Sequence, residues 1–253
     1  MSKLPTTTYK RAKPVGQIPH HLPQSHTHTH TTMAAPAPPK NLPVTVRNDV
    51  YDAISPEQYF NGTSTAFHGK VVIVAGGSKS IGLSIAKFYA RAGAIVVIVA
   101  RSEGTLADAK KQILAETSGK AEVLTLSADV VETKAVEELV GKVVDKYGKI
   151  DIVVQSSGIT GGPWKKPFVE RDPYEDWWKV FEVNVRGTYN MAHYVYPHLS
   201  KTNGTFAAFS TISVQRNLPG ASAYASSKVA LGRFIEFAAI GKSHPLRLLS
   251  MYI

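Results

Sequence analysis

Short apolar runs alternate with amphipathic segments from Gly69 onward, and this alternation restricts the fold more than any other feature of the sequence. The runs are rich in Val and Ile and have the length of strands, whereas the segments between them carry apolar residues at helical spacing. The predicted strands cover residues 71–75, 94–100, 122–127, 150–155, 204–209 and 246–253. Strands that alternate with helices form βαβ units with right-handed crossovers. The expected fold is therefore α/β, with a three-layer, doubly wound parallel sheet of about six strands.

A different composition marks the N-terminal part of the chain. Residues 1–45 are rich in Pro, Thr, Ser and His and lack apolar periodicity, which predicts a disordered basic tail. An extended lead-in over residues 46–68 and one folded domain over residues 69–253 are expected to follow. The alternating His and Thr at residues 26–30 could form a metal-binding tract, but a solvated tail explains them more simply, and no metal site is predicted.

Charge and cysteine content limit the partners and the compartment. The net charge is +10, but residues 1–47 hold six Lys and Arg and no acidic residue, which leaves +4 for the folded part. Such a balance does not predict nucleic-acid binding. No apolar run approaches the roughly 20 residues that span a bilayer, so no membrane partner is expected. The absence of cysteine fits a cytoplasmic location, and the acid-free tail leaves a mitochondrial presequence as the lesser alternative.

A glycine-containing turn joins the first predicted strand to the first predicted helix. Residues 74–82 read Val-Ala-Gly-Gly-Ser-Lys-Ser-Ile-Gly. The pyrophosphate of a dinucleotide needs a turn whose backbone it can approach closely. It also needs the free N–H groups of a helix N-terminus. The position of this turn after a strand and before a helix therefore predicts a dinucleotide site. The residues expected to line it are Gly76, Ser78, Lys79, Ser80, Ile81 and Gly82.

The residue after the second strand indicates which dinucleotide is preferred. An acidic residue there would bind the ribose 2′-OH of NAD, but the sequence has Arg101. Arg101 and Lys79 can instead pair with the 2′-phosphate of NADP, although both could be ordinary surface cations. NADP is therefore the expected cofactor, with NAD less favoured. Asp129, which precedes Val130 after the third strand, could bind the adenine amino group or cap the following helix.

Tyr224 and Lys228 form the candidate proton-transfer pair. They lie four residues apart on a predicted helix, so they share one face. The pKa of a free tyrosine is near 10, which makes it a poor proton donor or acceptor at neutral pH. A lysine cation and an oxidised nicotinamide beside it would lower that pKa. The Tyr-x-x-x-Lys pattern alone is common by chance, so its context decides whether it is structural or catalytic.

In order and spacing, the segment from about Gly69 to Ile253 resembles the short-chain dehydrogenase/reductase family. The glycine turn matches the family's Thr-Gly-x-x-x-Gly-Ile-Gly at Gly76, Ile81 and Gly82. Residues 155–158, Gln-Ser-Ser-Gly, fall at its Asn-Asn-Ala-Gly after the fourth strand, and Asp129 falls at its adenine-contacting acid. Its helix asparagine and its catalytic Tyr-x-x-x-Lys fall at Asn184 and at Tyr224 and Lys228.

The resemblance implies a Rossmann-type fold and an NADP-dependent oxidoreductase that interconverts a ketone or aldehyde with an alcohol. It implies that Tyr224 is the general acid or base and that Lys228 lowers its pKa and holds the nicotinamide ribose. Asn184 would anchor a relay water. Thr211 stands where the family has its catalytic serine and would orient the carbonyl, with Ser210 and Ser213 as neighbouring candidates. The expected cofactor contacts after the fourth strand are Ser156, Ser157 and Gly158.

Several positions depart from the family pattern. Ala75 replaces a threonine, Ser80 replaces the middle glycine of the turn, and three of the four residues at 155–158 differ. A positive φ at Ser80 would cost about 1 kcal/mol. The chain stops after the sixth strand, so the family's seventh strand and last helix are expected to be absent and the domain C-terminally incomplete. These departures support an alternative, a truncated, non-catalytic protein that binds a dinucleotide or a partner.

The family often forms dimers or tetramers through its fourth and fifth helices. Ala192, Tyr196 and Phe234 could belong to such an interface or could simply face the sheet. The expected partners are thus a small carbonyl or alcohol substrate and a second copy of the chain.

Overall fold

The computed structural model describes residues 55, 66–162, 166–215, 218–240 and 247–252. The predicted tail over residues 1–45 lies outside the described residues, as does most of the lead-in over residues 46–68. The end of the lead-in that is described forms a turn at residues 66–69. In this turn Phe67 packs edge-on against Tyr89, with 5.0 Å between the ring centroids. The folded domain therefore includes apolar contacts that precede Gly69.

Within the described residues, six parallel strands form one sheet in the order β3-β2-β1-β4-β5-β6. The strands are β1 (Val71–Ala75), β2 (Ile95–Ala100), β3 (Val123–Ser127), β4 (Ile152–Gln155), β5 (Thr205–Ser210) and β6 (Arg247–Tyr252). The predicted parallel sheet is confirmed, and each predicted strand bound lies within two residues of the observed one. The chain lays β2 and β3 on one side of β1 and β4 to β6 on the other. Such a reversal of strand order opens a crevice at the carboxyl ends of the strands.

Helices cover both faces of the sheet and complete the three layers. They are α1 (Ser80–Arg91), α2 (Glu103–Glu116), α3 (Thr133–Tyr147), α4 (the helical run 173–202) and α5 (Ser222–Ile240). Successive strand side chains point to opposite faces. Val72 and Val74 therefore pack with α1 and α2, whereas Ile73 and Ala75 pack with α3, α4 and α5. No helix within the described ranges is long and apolar enough to cross a membrane.

The sequence predicts that α4 begins at Asp172 and Pro173, with Asp172 as the N-cap and Glu175 as the capping-box acid, and that it ends near His198. Asp172 caps the helix as predicted. The Asp172 carboxylate accepts hydrogen bonds from two backbone N–H groups of the first turn. Glu175 was expected to complete a capping box, and this expectation is wrong, because Glu175 pairs with Lys179 instead. The Asp172 N–H donates to the carboxylate of Asp176, 3.2 Å away.

Two π-helical turns interrupt the first half of α4. They cover Pro173–Trp178 and Glu182–Arg186 and enclose one α-helical turn, Lys179–Phe181. Regular α-helix then runs over Gly187–Thr202 and extends beyond the end predicted from periodicity. π-Helical turns inside α-helices occur often at functional sites. The second of these turns carries Asn184.

Candidate active site

A cleft of about 640 Å³ opens at the carboxyl ends of the strands, where the strand order reverses. Its size lies in the range of small-molecule and cofactor pockets. Loops after four strands and the first turns of α5 contribute to it. The predicted site residues that line it are Gly76, Ser78, Lys79, Ser80, Ile81, Gly82, Arg101, Asp129, Val130, Ser156, Ser157, Gly158, Tyr224 and Lys228.

The glycine turn is a cradle that no larger residue can form. Gly76 has a φ of +78°, and a Cβ on it would lie 2.8 Å from the Ser157 backbone nitrogen. A Cβ on Gly82 would overlap the carbonyl oxygen of Gly76. Neither a side-chain cap nor an acidic residue occupies the first turn of α1. The close backbone approach and the uncapped helix N-terminus fit the pyrophosphate of a dinucleotide.

Ser80, the first residue of α1, lies in the left-handed region with a φ of +47°. A positive φ was considered at Ser80 because the family has a glycine at this position. An L-residue with a side chain is strained there, whereas glycine is not. The turn therefore keeps the backbone shape of a glycine turn at an energetic cost.

Three cations stand around the end of the cleft that Arg101 lines. Arg101 is 70% exposed, and its Nη1 lies 3.8 Å from Asp129 Oδ2. Lys79 is exposed at the start of α1, and Lys179 of α4, which is paired with Glu175, lines the same cleft. This end of the cleft is consequently electropositive and open to an anionic group.

Asp129 belongs to the cleft and not to a helix cap. Its Oδ1 accepts a hydrogen bond from the Val131 N–H at 3.1 Å, which closes a local turn. The N-cap residue of α3 is Glu132, which makes no side-chain capping bond. The alternative interpretation of Asp129 as the cap of the following helix is therefore wrong.

Tyr224 and Lys228 lie one turn apart in α5 and both line the cleft. The Lys228 Nζ is 5.7 Å from the centroid of the Tyr224 ring, and it donates a 2.6 Å hydrogen bond to the carbonyl of Phe209. Lys228 is only 5% exposed. Burial disfavours its charged form and lowers the pKa of Lys228 from 10.5 to about 8.

Asn184 does not line the cleft but lies fully buried directly behind it. Its side-chain amide exchanges two 2.9 Å hydrogen bonds with the backbone of Ile159 and donates a third, at 3.0 Å, to Ser227 Oγ. A Cβ on Gly158 would lie 3.1 Å from Asn184 Oδ1 and 3.7 Å from Lys228 Nζ. The missing side chain of Gly158 thus lets the amide and the ammonium group approach the same point.

The hydroxyl candidates at the end of β5 are also buried outside the cleft lining. Thr211 Oγ1 accepts from the Ser213 N–H and donates to Ser213 Oγ, both at 3.3 Å. The short 3₁₀ turn Ile212–Val214 that follows packs against α5. The structure therefore places Thr211 near the helix that carries Tyr224. The Thr211 hydroxyl donates its hydrogen bond to Ser213.

Sequence reasoning missed the residues that reach the cleft from positions outside the family motifs. Several are direct neighbours of predicted residues in the same loops, a signal that could have found them. Lys179 and Val183 come from α4, and their position depends on the π-helical turns. The missed residues are Val99, Ala100, Ser102, Thr105, Ala128, Ile159, Thr160, Lys179, Val183 and Phe209.

The family model that describes short chain dehydrogenases matches residues 70–240. This chain belongs to that family. A short chain dehydrogenase of Pseudocercospora fijiensis is 36% identical over 198 residues, which cover 78% of this chain and 61% of the relative. The chain spans 61–64% of the length of the first curated relatives that it matches. The family comprises oxidoreductases that bind NAD or NADP.

Solved structures agree with this assignment and confirm the Rossmann-type fold. An alcohol dehydrogenase from the archaeon Thermococcus sibiricus, complexed with 5-hydroxy-NADP, superimposes with a TM-score of 0.66 and 26% identity over 72% of this chain and 74% of its own. A xylitol dehydrogenase bound to NAD⁺ gives a TM-score of 0.63 and 27% identity over 69% of this chain and 65% of its own. The neighbours thus include proteins with either dinucleotide.

Proposed function

We propose that this chain belongs to an NADP-dependent oxidoreductase that interconverts a ketone or aldehyde with an alcohol. One observation carries the proposal: Tyr224 and the buried ammonium group of Lys228 line the same cleft as the glycine turn. A dinucleotide seated on that turn and a carbonyl group near Tyr224 would then share one pocket. The finer points, NADP over NAD and the roles of single residues, follow from the charges and contacts around the cleft.

The cofactor would be held by groups that the fold already presents. Gly76, Gly82 and the first N–H groups of α1 would receive the pyrophosphate. Arg101 and Lys79 would pair with the 2′-phosphate of NADP, and Asp129 would accept from the adenine amino group. The exposed guanidinium of Arg101 has only a 3.8 Å contact to a carboxylate, so it remains available to a phosphate.

Tyr224 would perform the proton transfer. In the reductive direction its phenol O–H bond breaks and the proton goes to the substrate oxygen; in the oxidative direction the phenolate takes the alcohol proton. The Lys228 ammonium group stabilises the phenolate through its charge. A bound nicotinamide dinucleotide supplies or takes up the hydride. Thr211 would orient the carbonyl by turning its hydroxyl proton from Ser213 Oγ toward the substrate oxygen. Asn184 would hold a water close to Lys228, at the gap beside Gly158.

Oxidation of NADPH by the purified protein with a panel of ketones and aldehydes tests the proposal. We expect turnover in the wild-type protein and its near-complete loss in Tyr224→Phe, with unchanged NADPH binding. The Arg101→Ala variant should bind NADPH roughly tenfold more weakly and NADH unchanged, because it loses one charged hydrogen-bonding pair. Binding of NADPH without any turnover would favour the non-catalytic alternative, and equal turnover in Tyr224→Phe would remove that residue from the mechanism.

Two further proposals concern assembly and location. Ala192, Tyr196 and Phe234, which the sequence assigned either to an interface or to the sheet, line an apolar groove of about 320 Å³ between α4 and α5. A groove that opens to the surface supports a homodimer through this face, which a homotetramer can also contain. The lack of cysteine supports a cytoplasmic place for the chain.

A further inference from the structure

Ser227 has a buried hydroxyl group that belongs to neither the cleft lining nor the predicted site. It lies in α5 between Tyr224 and Lys228 and is fully buried. Its Oγ donates a 2.8 Å hydrogen bond to the backbone carbonyl of Tyr224. The same Oγ accepts a 3.0 Å hydrogen bond from Nδ2 of Asn184, 43 residues away in α4. The hydroxyl therefore joins two elements that carry proposed site residues.

These hydrogen bonds form a continuous network from the loop after β4 to the first turn of α5. The Ile159 N–H donates to Asn184 Oδ1, and Asn184 Nδ2 donates to the Ile159 carbonyl and to Ser227 Oγ. Ser227 then donates to Tyr224. A primary amide has two N–H donors, and a hydroxyl has one O–H donor. The two N–H groups of Asn184 and the hydroxyl of Ser227 all donate, so the hydrogen-bond network has one defined arrangement.

A serine in a helix often donates to a carbonyl three or four residues earlier merely to satisfy its own hydroxyl. That explanation covers the bond to Tyr224 but not the bond from Asn184. Asn184 is itself fixed to the backbone of Ile159, which lines the cleft next to Gly158. Without the Ser227 oxygen, one N–H of a fully buried amide would have no acceptor among the contacts of the described residues.

We propose that Ser227 is a positioning residue, which fixes the turn of Tyr224 and Lys228 against the Asn184 amide and the loop after β4. This role rests on the proposed function, because its consequence is the placement of the Tyr224 phenol and the Lys228 ammonium group. Ser227 does not itself line the cleft and would act through Asn184 and Tyr224. Fully satisfied buried networks of this kind hold one conformation.

The Ser227→Ala variant tests the proposal, with Ser226→Ala as its matched control. Ser226 is exposed in the same turn of α5. We expect Ser227→Ala to lose kcat roughly ten- to hundredfold, with KM and the Kd for NADPH unchanged, because a small displacement of reacting groups costs rate more than binding. In an Asn184→Ala background the same substitution should have little further effect, since the partner is gone. Ser226→Ala should keep the wild-type kcat.

Amide hydrogen exchange at Ile159 provides a readout that does not depend on turnover. We expect exchange to be roughly tenfold faster in Ser227→Ala than in Ser226→Ala, because Asn184 is held less firmly. Unchanged kcat in Ser227→Ala, or unchanged exchange at Ile159, would overturn the positioning role. If the wild-type protein converts no carbonyl compound, the proposed function fails, and the exchange rates alone decide whether Ser227 holds the loop.

Discussion

Lys228 of the candidate site carries its charge in a buried position. Its side chain is only 5% exposed, and its ammonium group donates a hydrogen bond to the backbone carbonyl of Phe209. The lowered pKa of about 8 expresses how strongly burial disfavours that charge. Buried groups with shifted pKa values are concentrated at functional sites, where stability is given up for chemistry.

The pKa of Lys228 predicts a stability that rises with pH. Because the pKa is about 8 in the folded protein and 10.5 in the unfolded chain, the unfolded state binds more protons between these values. The free energy of unfolding should therefore increase by about 3 kcal/mol as the pH rises from 8 to 10.5. Urea titrations over this range should show the increase in the wild-type protein and its absence in Lys228→Met.

Lys228→Met should also be more stable than the wild-type protein at pH 7, by about 1–3 kcal/mol, because the penalty for burying the charge is fully present below pH 8. The carbonyl of Phe209, which then loses its donor, offsets part of the gain. The same variant should lose turnover. A variant that is less stable at pH 7 and equally sensitive to pH would contradict the assignment of a buried charge.

Ser80 is a strained residue of the glycine turn, and relief of this strain should also stabilise the protein. Ser80→Gly removes the strain of a φ of +47° and should stabilise the protein by about 1 kcal/mol. The matched control is Ser78→Gly in the same turn, where no positive φ is recorded and glycine only adds freedom to the unfolded chain. Equal changes in the two urea midpoints would show that Ser80 carries no strain.

At the scale of elements, Asp151 holds the start of β4 against β1. Its carboxylate accepts from the Val71 N–H at 2.9 Å and pairs with Lys70 and Lys149 at 2.9 Å and 3.1 Å. Burial alone would raise the pKa of Asp151, but these three partners outweigh burial and lower it. The two central strands are thus joined by a side chain in addition to their backbone ladder.

Asp151→Asn should destabilise the protein by about 1–3 kcal/mol at pH 7, since it removes the charge that two lysines and a buried N–H face. For a carboxylate whose pKa is lowered by folding, the stabilisation is present above its ordinary pKa and is lost as the pH falls through the lowered value. Urea midpoints of the wild-type protein and the variant should therefore converge below about pH 4. A constant difference down to strongly acidic pH would contradict the role of the charge.

The regular strands and helices could be predicted from the sequence, whereas the irregular turns of α4 could not. Buried strands such as β1 stand out because Val and Ile follow one another without interruption between polar turns. Helix α4 was predicted at the correct place, but its π-helical turns were not, because the prediction assumes a period of 3.6 residues. In the π-helical first turn, Asp176 accepts the hydrogen bond from the Asp172 N–H that was expected for Glu175, and Glu175 pairs with Lys179.

At the scale of the whole molecule, the cleft shows why motif residues could be found and supporting residues could not. Gly76, Arg101, Gly158 and Tyr224 are far apart in sequence, but each follows a strand or opens a helix at one edge of the sheet. Parallel strands bring such positions together whatever lies between them. Ser227 has no such signal, because its role depends on which side chain of another helix reaches it.

The face formed by α4 and α5 has an apolar groove, and α5 carries two exposed apolar side chains. The groove lies between the two helices. Phe237 and Ile240 of α5 are 64% and 80% exposed. An isologous dimer needs one surface that complements itself, and in the proposed homodimer the groove and the exposed apolar side chains of α5 would be covered. The proposed homodimer would place a second copy of the chain on this face.

Phe237→Lys should convert a dimer into a monomer, because a charged side chain on both sides of a twofold axis would be desolvated and repelled. Sedimentation equilibrium or light scattering measures the mass, and NADPH binding should stay unchanged because Phe237 lies outside the cleft. Val169→Lys is the matched control: Val169 is 74% exposed and lines neither the groove nor the cleft. A monomeric wild-type protein, or a dimer that survives Phe237→Lys, would exclude this face as the contact between copies.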